Sequence, residues 1–387
     1  MRCYLNAMAM VSAMGDSRQA ASEQLSSGDA GLTLSDQFSP GQPLPLGIYT
    51  GALPRVTLQA PHWHSRNNRM ALAALSQIEG AVDDAVGRFG RQRIGVVIGT
   101  STSGIGDSEA HLKQRAATGE IPQEYDYRLQ EMGATAAFIA AQLNLAGPVY
   151  GISTACSSGA KALASARRLL RAGVCDAVIA GGVDTLCHLT VQGFSALEAV
   201  SDTPCNPFSV NRQGINIGEG AGLFLVTREQ GPVELAGVGE SSDAHHISAP
   251  DPSGAGAIRC MQAALMDAGL SPDAIGYVNL HGTATTLNDQ MEARAVGEVF
   301  GGAVPCSSTK PLTGHTLGAA GALEAAICWL ALSDGFLPRH VWDAQPDPEL
   351  PALNLSAGQR DVQNLEYALS NSFAFGGNNI SLILRRT

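Results

Sequence analysis

Short, unbroken apolar runs recur along the chain. Between them lie stretches whose apolar residues return every three or four positions. Ile94 to Gly99 and Val174 to Ala180 are nearest the first kind, while Val233 to Ser241 and Ile275 to Leu280 carry polar residues and are expected simply as strands. Runs of the first kind, bounded by glycine or polar residues, predict strands buried on both faces. Asn67 to Val86 is of the second kind: Leu72, Leu75, Ile78, Val82 and Val86 fall near helical period and predict one helix. Gly133 to Leu143, Ala257 to Ala268, Asp289 to Phe300 and Leu317 to Leu332 read the same way, and Ser17 to Ser26 as a short helix. Further strands are expected at Arg2 to Met14, Ile217 to Val226, Val304 to Ser308, Glu366 to Ser370 and Ile380 to Arg385. Gly181-Gly182 reads as the end of the Val174 strand, and Gly28 to Pro45 as loop.

Strands alternating with helices predict mainly parallel sheets covered by helices. Element order is similar in the two halves of the chain, 1–230 and 231–387, although the letters are not. The expectation is an α/β fold of two similar βαβ halves, stacked in five α-β-α-β-α layers.

Val149 to Arg171 stands out. A β-compatible start runs into small residues and then into an Ala/Leu/Arg helix pattern, with Cys156 at the junction. A thiol there would sit at the positive end of a helix dipole, which favours thiolate. Ser157, Ser158 and Gly159 leave room for a carbonyl to reach the sulfur, the logic of a nucleophile on a sharp strand-to-helix turn.

Composition narrows the classes. The chain has 387 residues and a net charge of -11, ample for a large core and contrary to a nucleic-acid surface. Arg167, Arg168 and Arg171 form either a local basic patch or a solvated helix face. Eight scattered cysteines include no C-x-x-C pair, so a zinc ribbon or thioredoxin-type motif is unsupported, and a reducing cytoplasm fits. No run reaches about 18 apolar residues, so no membrane span is expected. His62-Trp63-His64 and His245-His246 lack partners at metal-ligand spacing and read as surface or structural residues. The turn Gly104-Ile105-Gly106 does not continue into a dinucleotide fingerprint.

Three later stretches carry reactive side chains near predicted strand ends. Asn279 to Asp289 is N-L-H-G-T-A-T-T-L-N-D and holds His281. Ser308 to Ala322 is S-T-K-P-L-T-G-H-T-L-G-A-A-G-A, with Lys310 ending a strand and His315 opening a helix. Asn371 to Asn379 is N-S-F-A-F-G-G-N-N, a glycine turn between two strands. Ligands of open α/β sheets bind outside the carboxyl ends of strands, where all of these would lie.

Together, T-A-C-S-S-G, H-G-T-A-T, K-x-x-x-G-H-x-x-G-A-A-G and S-F-x-F-G-G-N-N resemble the motifs of β-ketoacyl-acyl-carrier-protein synthases of the elongating Cys-His-His type. The likeness runs from Met1 to Arg385. It implies a thiolase-like fold, its first half carrying the nucleophilic cysteine and its second both histidines and the lysine. It implies that Cys156 takes an acyl group as a thioester, while His281 and His315 donate ring N–H groups to a malonyl thioester carbonyl as carbon dioxide leaves. Lys310 would support the charge balance, with Glu292 as its partner. The N–H groups of Cys156 and Phe375 would form the oxyanion hole. Thr283 and Thr285 would contact a phosphopantetheine arm brought by the acyl carrier protein, and Phe373 and Phe375 would gate the cavity. No metal and no cofactor of the enzyme's own is implied.

The glycine turn lacks the second cysteine of thiolases, and His315 stands where priming synthases have asparagine. A non-condensing chain-length factor lacks the nucleophile present here. Departures from the family pattern lie at Cys205 to Gly214, Lys161 and Ala374. They suggest a specialised polyketide- or aryl-polyene-type ketosynthase, working as a homodimer or as a heterodimer with a chain-length-factor-like subunit.

Overall fold

In the computed structural model, which describes residues 1–29 and 31–387, five strands of the first half form one sheet section. These are β1 (Tyr4–Ser12), β2 (Ile94–Gly99), β3 (Val149–Ile152), β4 (Ala177–Asp184) and β5 (Gly220–Thr227). Five of the second half form another: β6 (Val233–Ser242), β7 (Tyr277–Asn279), β8 (Pro305–Ser307), β9 (Tyr367–Ala374) and β10 (Asn378–Arg386). The order is β3-β2-β4-β5-β1 in the first and β8-β7-β9-β10-β6 in the second, so position for position the two are the same. Within each, the first two pairings are parallel and the last two antiparallel. The sheets are therefore mixed rather than mainly parallel. A single Tyr4–Glu234 pairing joins them into one sheet, with Asn354–Leu355 added beyond β8.

Helices make the other three layers, so the five-layer expectation holds. Helices α1 (Arg66–Gln77) and α2 (Ala134–Gln142) cover the outer face of the first section. Helices α3 (Ser158–Arg171) and α6 (Ala320–Asp334) lie between the sections and touch both. Helices α4 (Ala255–Ala268) and α5 (Thr286–Phe300) cover the second. Every residue of β2, β4 and β5 is buried, as two covered faces require. The stretch Leu317–Asp334 is long and apolar enough to cross a membrane, yet 89% of it is buried inside the protein, because it lies in the middle layer between the two sheet sections.

Several local expectations are corrected. The Asn67 to Val86 helix is two, Arg66–Gln77 and Glu79–Phe89, broken at Ile78 just before Gly80; the bend lets Ile78 and Val82 enter the same core. Gly181 and Gly182 do not end a strand but lie inside β4. They are there for close approach: a Cβ on Gly181 would meet the Gly222 carbonyl at 1.9 Å, and one on Gly182 the Ala319 Cα at 2.9 Å. The stretch Gly28 to Pro45 includes a short antiparallel pair, Thr33–Ser35 with Leu44–Leu46. Helices at Ile105–Thr118 and His188–Ala196 were not legible, the first beginning inside the Gly104-Ile105-Gly106 turn.

The arginine trio is divided: Arg168 and Arg171 lie on the solvated side of the helix, and Arg167 does not. Arg167 is buried, donating to Asp267 and to the carbonyls of Leu235 and Ala236. Arg168 pairs with Glu240, and Arg171 donates to the Met1 carbonyl at 3.0 Å. The Arg167 and Arg168 contacts tie α3 to the second half, and the Arg171 contact ties it to the N-terminal residue. His62 is buried beside Asp126, its Nδ1 at 3.4 Å, whereas His245 and His246 are exposed.

Candidate active site

The sharp turn after β3 sets the sulfur. Ala155 is held at φ 53°, a left-handed angle that costs an L-residue about 1 kcal/mol or more. Neighbouring hydroxyls hold the turn there. Ser158 Oγ donates to the Ala155 carbonyl at 2.6 Å and accepts from Thr154 N–H at 2.9 Å, while Ser157 Oγ donates to the Thr154 carbonyl at 2.7 Å. Helix α3 then starts at Ser158, two residues past Cys156.

The crossing of α3 with α6 brings the far half to it. A Cβ on Gly159 would meet Ala322 Cβ at 2.8 Å and the Gly318 carbonyl at 3.0 Å, so only glycine allows this approach. The turn before α6 carries His315, whose N–H donates to the Asn216 carbonyl at 2.6 Å. Asp184, at the end of β4, accepts from Gly318 N–H at 2.6 Å, from the Thr100 and Thr102 hydroxyls and from the Ser101 and Thr102 N–H groups, locking this turn to the loop after β2. His315 Nε2 stands 3.0 Å from Cys156 Sγ.

His281 completes the group, its ring edge-on to that of His315 with centroids 5.4 Å apart. Glu292, on α5, accepts the N–H groups of His281 and Gly282 at 2.8 and 2.7 Å. Lys310 opens a short helix rather than ending a strand. Its ammonium donates to the His281 carbonyl and lies 3.5 Å from His281 Nδ1. Its carboxylate partner is Glu324, not Glu292. Glu324 comes from α6, whereas Glu292 is fully engaged by peptide N–H groups. The signal for Glu324 was present in the sequence, as the one charged residue in the apolar run Leu317 to Leu332.

Burial governs the electrostatics. It pushes the Cys156 thiol up to about 12, against the pull of Lys310 and of the Phe375 and Cys156 N–H groups that face the sulfur. The resting group is thus a thiol, and the dipole argument for a thiolate is outweighed by desolvation. Burial, aided by the Lys310 charge, holds both His281 and His315 well below the usual imidazole range, so both rings are neutral. Facing an ammonium, His281 Nδ1 carries the lone pair, which leaves the proton on Nε2.

A cavity of about 350 Å³ opens over these groups. Cys156, His281, His315, Thr283, Thr285, Phe373 and Phe375 all line it; Lys310 and Glu292 lie behind it. Phe194, unremarked in the sequence, stands against Phe375 with ring centroids 5.6 Å apart.

The Cys156, His281 and His315 donor atoms lie within 4.8 Å of one another, the spread of a three-ligand metal set. The surroundings do not fit a metal. A ligating imidazole hands its second nitrogen to an acceptor, but His281 Nδ1 faces a cation, and among the described residues His315 Nδ1 has no hydrogen-bond partner.

Comparison with known proteins agrees with the geometry. Residues 61–231 match the β-ketoacyl synthase N-terminal domain and residues 233–342 the C-terminal domain. A 3-oxoacyl-[acyl-carrier-protein] synthase 2 of Staphylococcus aureus (strain COL) is 34% identical over 344 residues, covering 83% of this chain and 82% of that protein. A ketosynthase solved in complex with its chain length factor, from Xenorhabdus doucetiae, superposes with a TM-score of 0.95 at 45% identity, over 100% of this chain and 98% of that one. The ishigamide ketosynthase/chain length factor gives 0.90 at 27% identity, over 100% and 99%.

Proposed function

The chain belongs to the β-ketoacyl synthase family, and from that membership we propose that it is a 3-oxoacyl-[acyl-carrier-protein] synthase. The observation that carries the reading is the convergence of a buried thiol and two neutral imidazoles on one apolar cavity. In the first step Cys156 Sγ attacks the carbonyl of an acyl-carrier thioester. Its proton passes through His315 to the departing carrier thiol, and the acyl group stays on the sulfur. The N–H groups of Cys156 and Phe375 receive the tetrahedral oxyanion.

In the second step a malonyl-carrier thioester places its carbonyl between the two imidazoles. His281 offers Nε2–H; His315, whose Nδ1 has no partner among the described residues, does the same in its other neutral tautomer once the sulfur is acylated. The bond to the carboxylate breaks, carbon dioxide leaves, and the electron pair becomes an enolate held by both donors. The enolate carbon attacks the Cys156 thioester, the sulfur departs, and the product is a 3-oxoacyl-carrier. Neutral donors suit a dry pocket, since they stabilise developing charge without bringing a full one. Thr283, Thr285 and Phe373 line the cavity where the phosphopantetheine arm would enter, so the long cofactor arrives on the carrier.

On the same reading the two halves, 1–230 and 231–387, form one catalytic unit. The partner is an acyl carrier protein, and a second chain of this fold pairs along the edge strand β3, whose residues are half-buried. Likeness to a ketosynthase solved with its chain length factor favours a heterodimer, with this chain as the member that keeps its cysteine. Eight buried cysteines, none bonded to another, suit a reducing cytoplasm.

The test is mass spectrometry of the purified protein with an acyl-carrier thioester, followed by malonyl-carrier. An adduct on Cys156 and then a 3-oxoacyl-carrier are expected. An adduct on the Cys156→Ala protein, or thioester hydrolysis without carbon dioxide release, would overturn the reading.

A further inference from the structure

The backbone of His281 and Gly282 is held at each of its four polar groups. Glu292 takes both N–H groups, Lys310 Nζ takes the His281 carbonyl, and Ser308 Oγ donates to the Gly282 carbonyl at 2.7 Å. Ser308 is itself pinned. Its N–H donates to His340 Nδ1 at 3.0 Å, and His340 Nε2 lies 3.1 Å from the Pro207 carbonyl. An acceptor at one nitrogen and a donor at the other define a single neutral tautomer. Burial pushes the His340 imidazole down to about 4, so it stays neutral at working pH.

The ring cannot slide. It is wedged between Phe208 and Trp342, with centroids 6.1 and 5.6 Å away. Phe208 reaches under the same backbone, where a Cβ on Gly282 would meet its ring at 3.1 Å. His340 lines no part of the catalytic cavity.

We propose that His340 is a positioning residue for His281, acting through Ser308, and that it serves decarboxylation rather than acylation. The inference rests on the synthase reading above. The physical case is a division of supports. Cys156, its turn and its oxyanion donors are placed by α3 and the Phe375 turn, neither of which hydrogen-bonds to Ser308 or His340. The direction of the His281 ring follows from the course of its backbone, and Ser308 fixes that course one peptide further on, at the Gly282 carbonyl. A displacement of about 1 Å at a catalytic donor costs about 10²-fold in rate.

The experiment uses the full chain and two variants, His340→Leu and Ser308→Ala, with two partial reactions measured separately. These are the rate of Cys156 acylation from an acyl-carrier thioester and the release of labelled carbon dioxide from malonyl-carrier. Expected are acylation within about threefold of the unaltered protein and carbon dioxide release lower by about 10- to 100-fold. The double variant should be little worse than either single one, because both act through the same bond. Carbon dioxide release unchanged in a folded variant, a parallel fall in both reactions, or fully additive losses would each overturn the proposal. Should His340→Leu not fold, Ser308→Ala, which removes one hydroxyl, carries the test. If the unaltered protein neither acylates nor decarboxylates, it is the synthase reading that has failed; if it does both and the variants do not separate them, only the positioning role has.

Discussion

Cys156 Sγ and His315 Nε2 stand 3.0 Å apart although 159 positions separate them in the chain. Because burial pushes the thiol up to about 12, that imidazole is the group placed to receive its proton. Alkylation of Cys156 by iodoacetamide should therefore be slow at neutral pH and rise continuously towards pH 10 and above. His315→Ala should slow it at pH 7.5 by a further tenfold or more. A plateau reached below pH 8 would rule out the protonated thiol.

Lys310 and Glu324 are both buried and hold one another. Lys310→Met strands a carboxylate in the core and should cost about 3–5 kcal/mol in urea unfolding. The double change Lys310→Met with Glu324→Leu should recover much of that loss while remaining inactive. Equal stability of the single and double variants would contradict a coupled pair.

The pH dependence of stability has two opposing parts. Burial keeps His281 and His315 neutral well below the usual range and His340 to about 4. Below pH 6.5 the unfolded chain binds protons that these rings refuse, so stability falls with pH, by about 1.4 kcal/mol per unit per group. Burial also pushes Glu292 and Glu324 up to about 7 and Asp289 to about 6. The folded chain takes up protons at these carboxyls before the unfolded chain does, so stability rises as pH falls through the same window. The buried imidazoles and the buried carboxyls oppose one another, and a shallow profile is expected from pH 6.5 to 5. Glu292→Gln removes one carboxyl and should lose about 1 kcal/mol per unit more than the unaltered protein over that span. Parallel profiles in urea titrations would show that Glu292 does not titrate there.

Gly159 marks the tightest approach of α3 to α6. Gly159→Ala should destabilise by about 2 kcal/mol or more and push the two helices apart. Because Cys156 precedes one helix and His315 the other, acylation should slow as well. Unchanged melting temperature and acylation rate would show that the crossing yields without effect.

Much of the plan was legible in the letters. Apolar runs located the strands because burial on two faces leaves little room for polar residues, as in β2. Glycine misled where it served packing instead of turning: Gly181 and Gly182 interrupt a pattern, not a strand. The helices at Ile105–Thr118 and His188–Ala196 bury few of their residues and so left little periodic trace. Lys310 was visible as a motif residue, but its partner was not. Glu292 and Glu324 are both acids on helices, and only the path of α6 between the sheets puts the second against the ammonium.

By itself the sequence determined which chemical groups exist and that two similar runs of elements follow one another, since both depend on local pattern and residue type. Which nitrogen meets the sulfur, which acid meets the lysine and whether the thiol keeps its proton were decided only by the tertiary structure. Those are matters of distance and desolvation, and both arise when α3 and α6 pack between the two sheet sections.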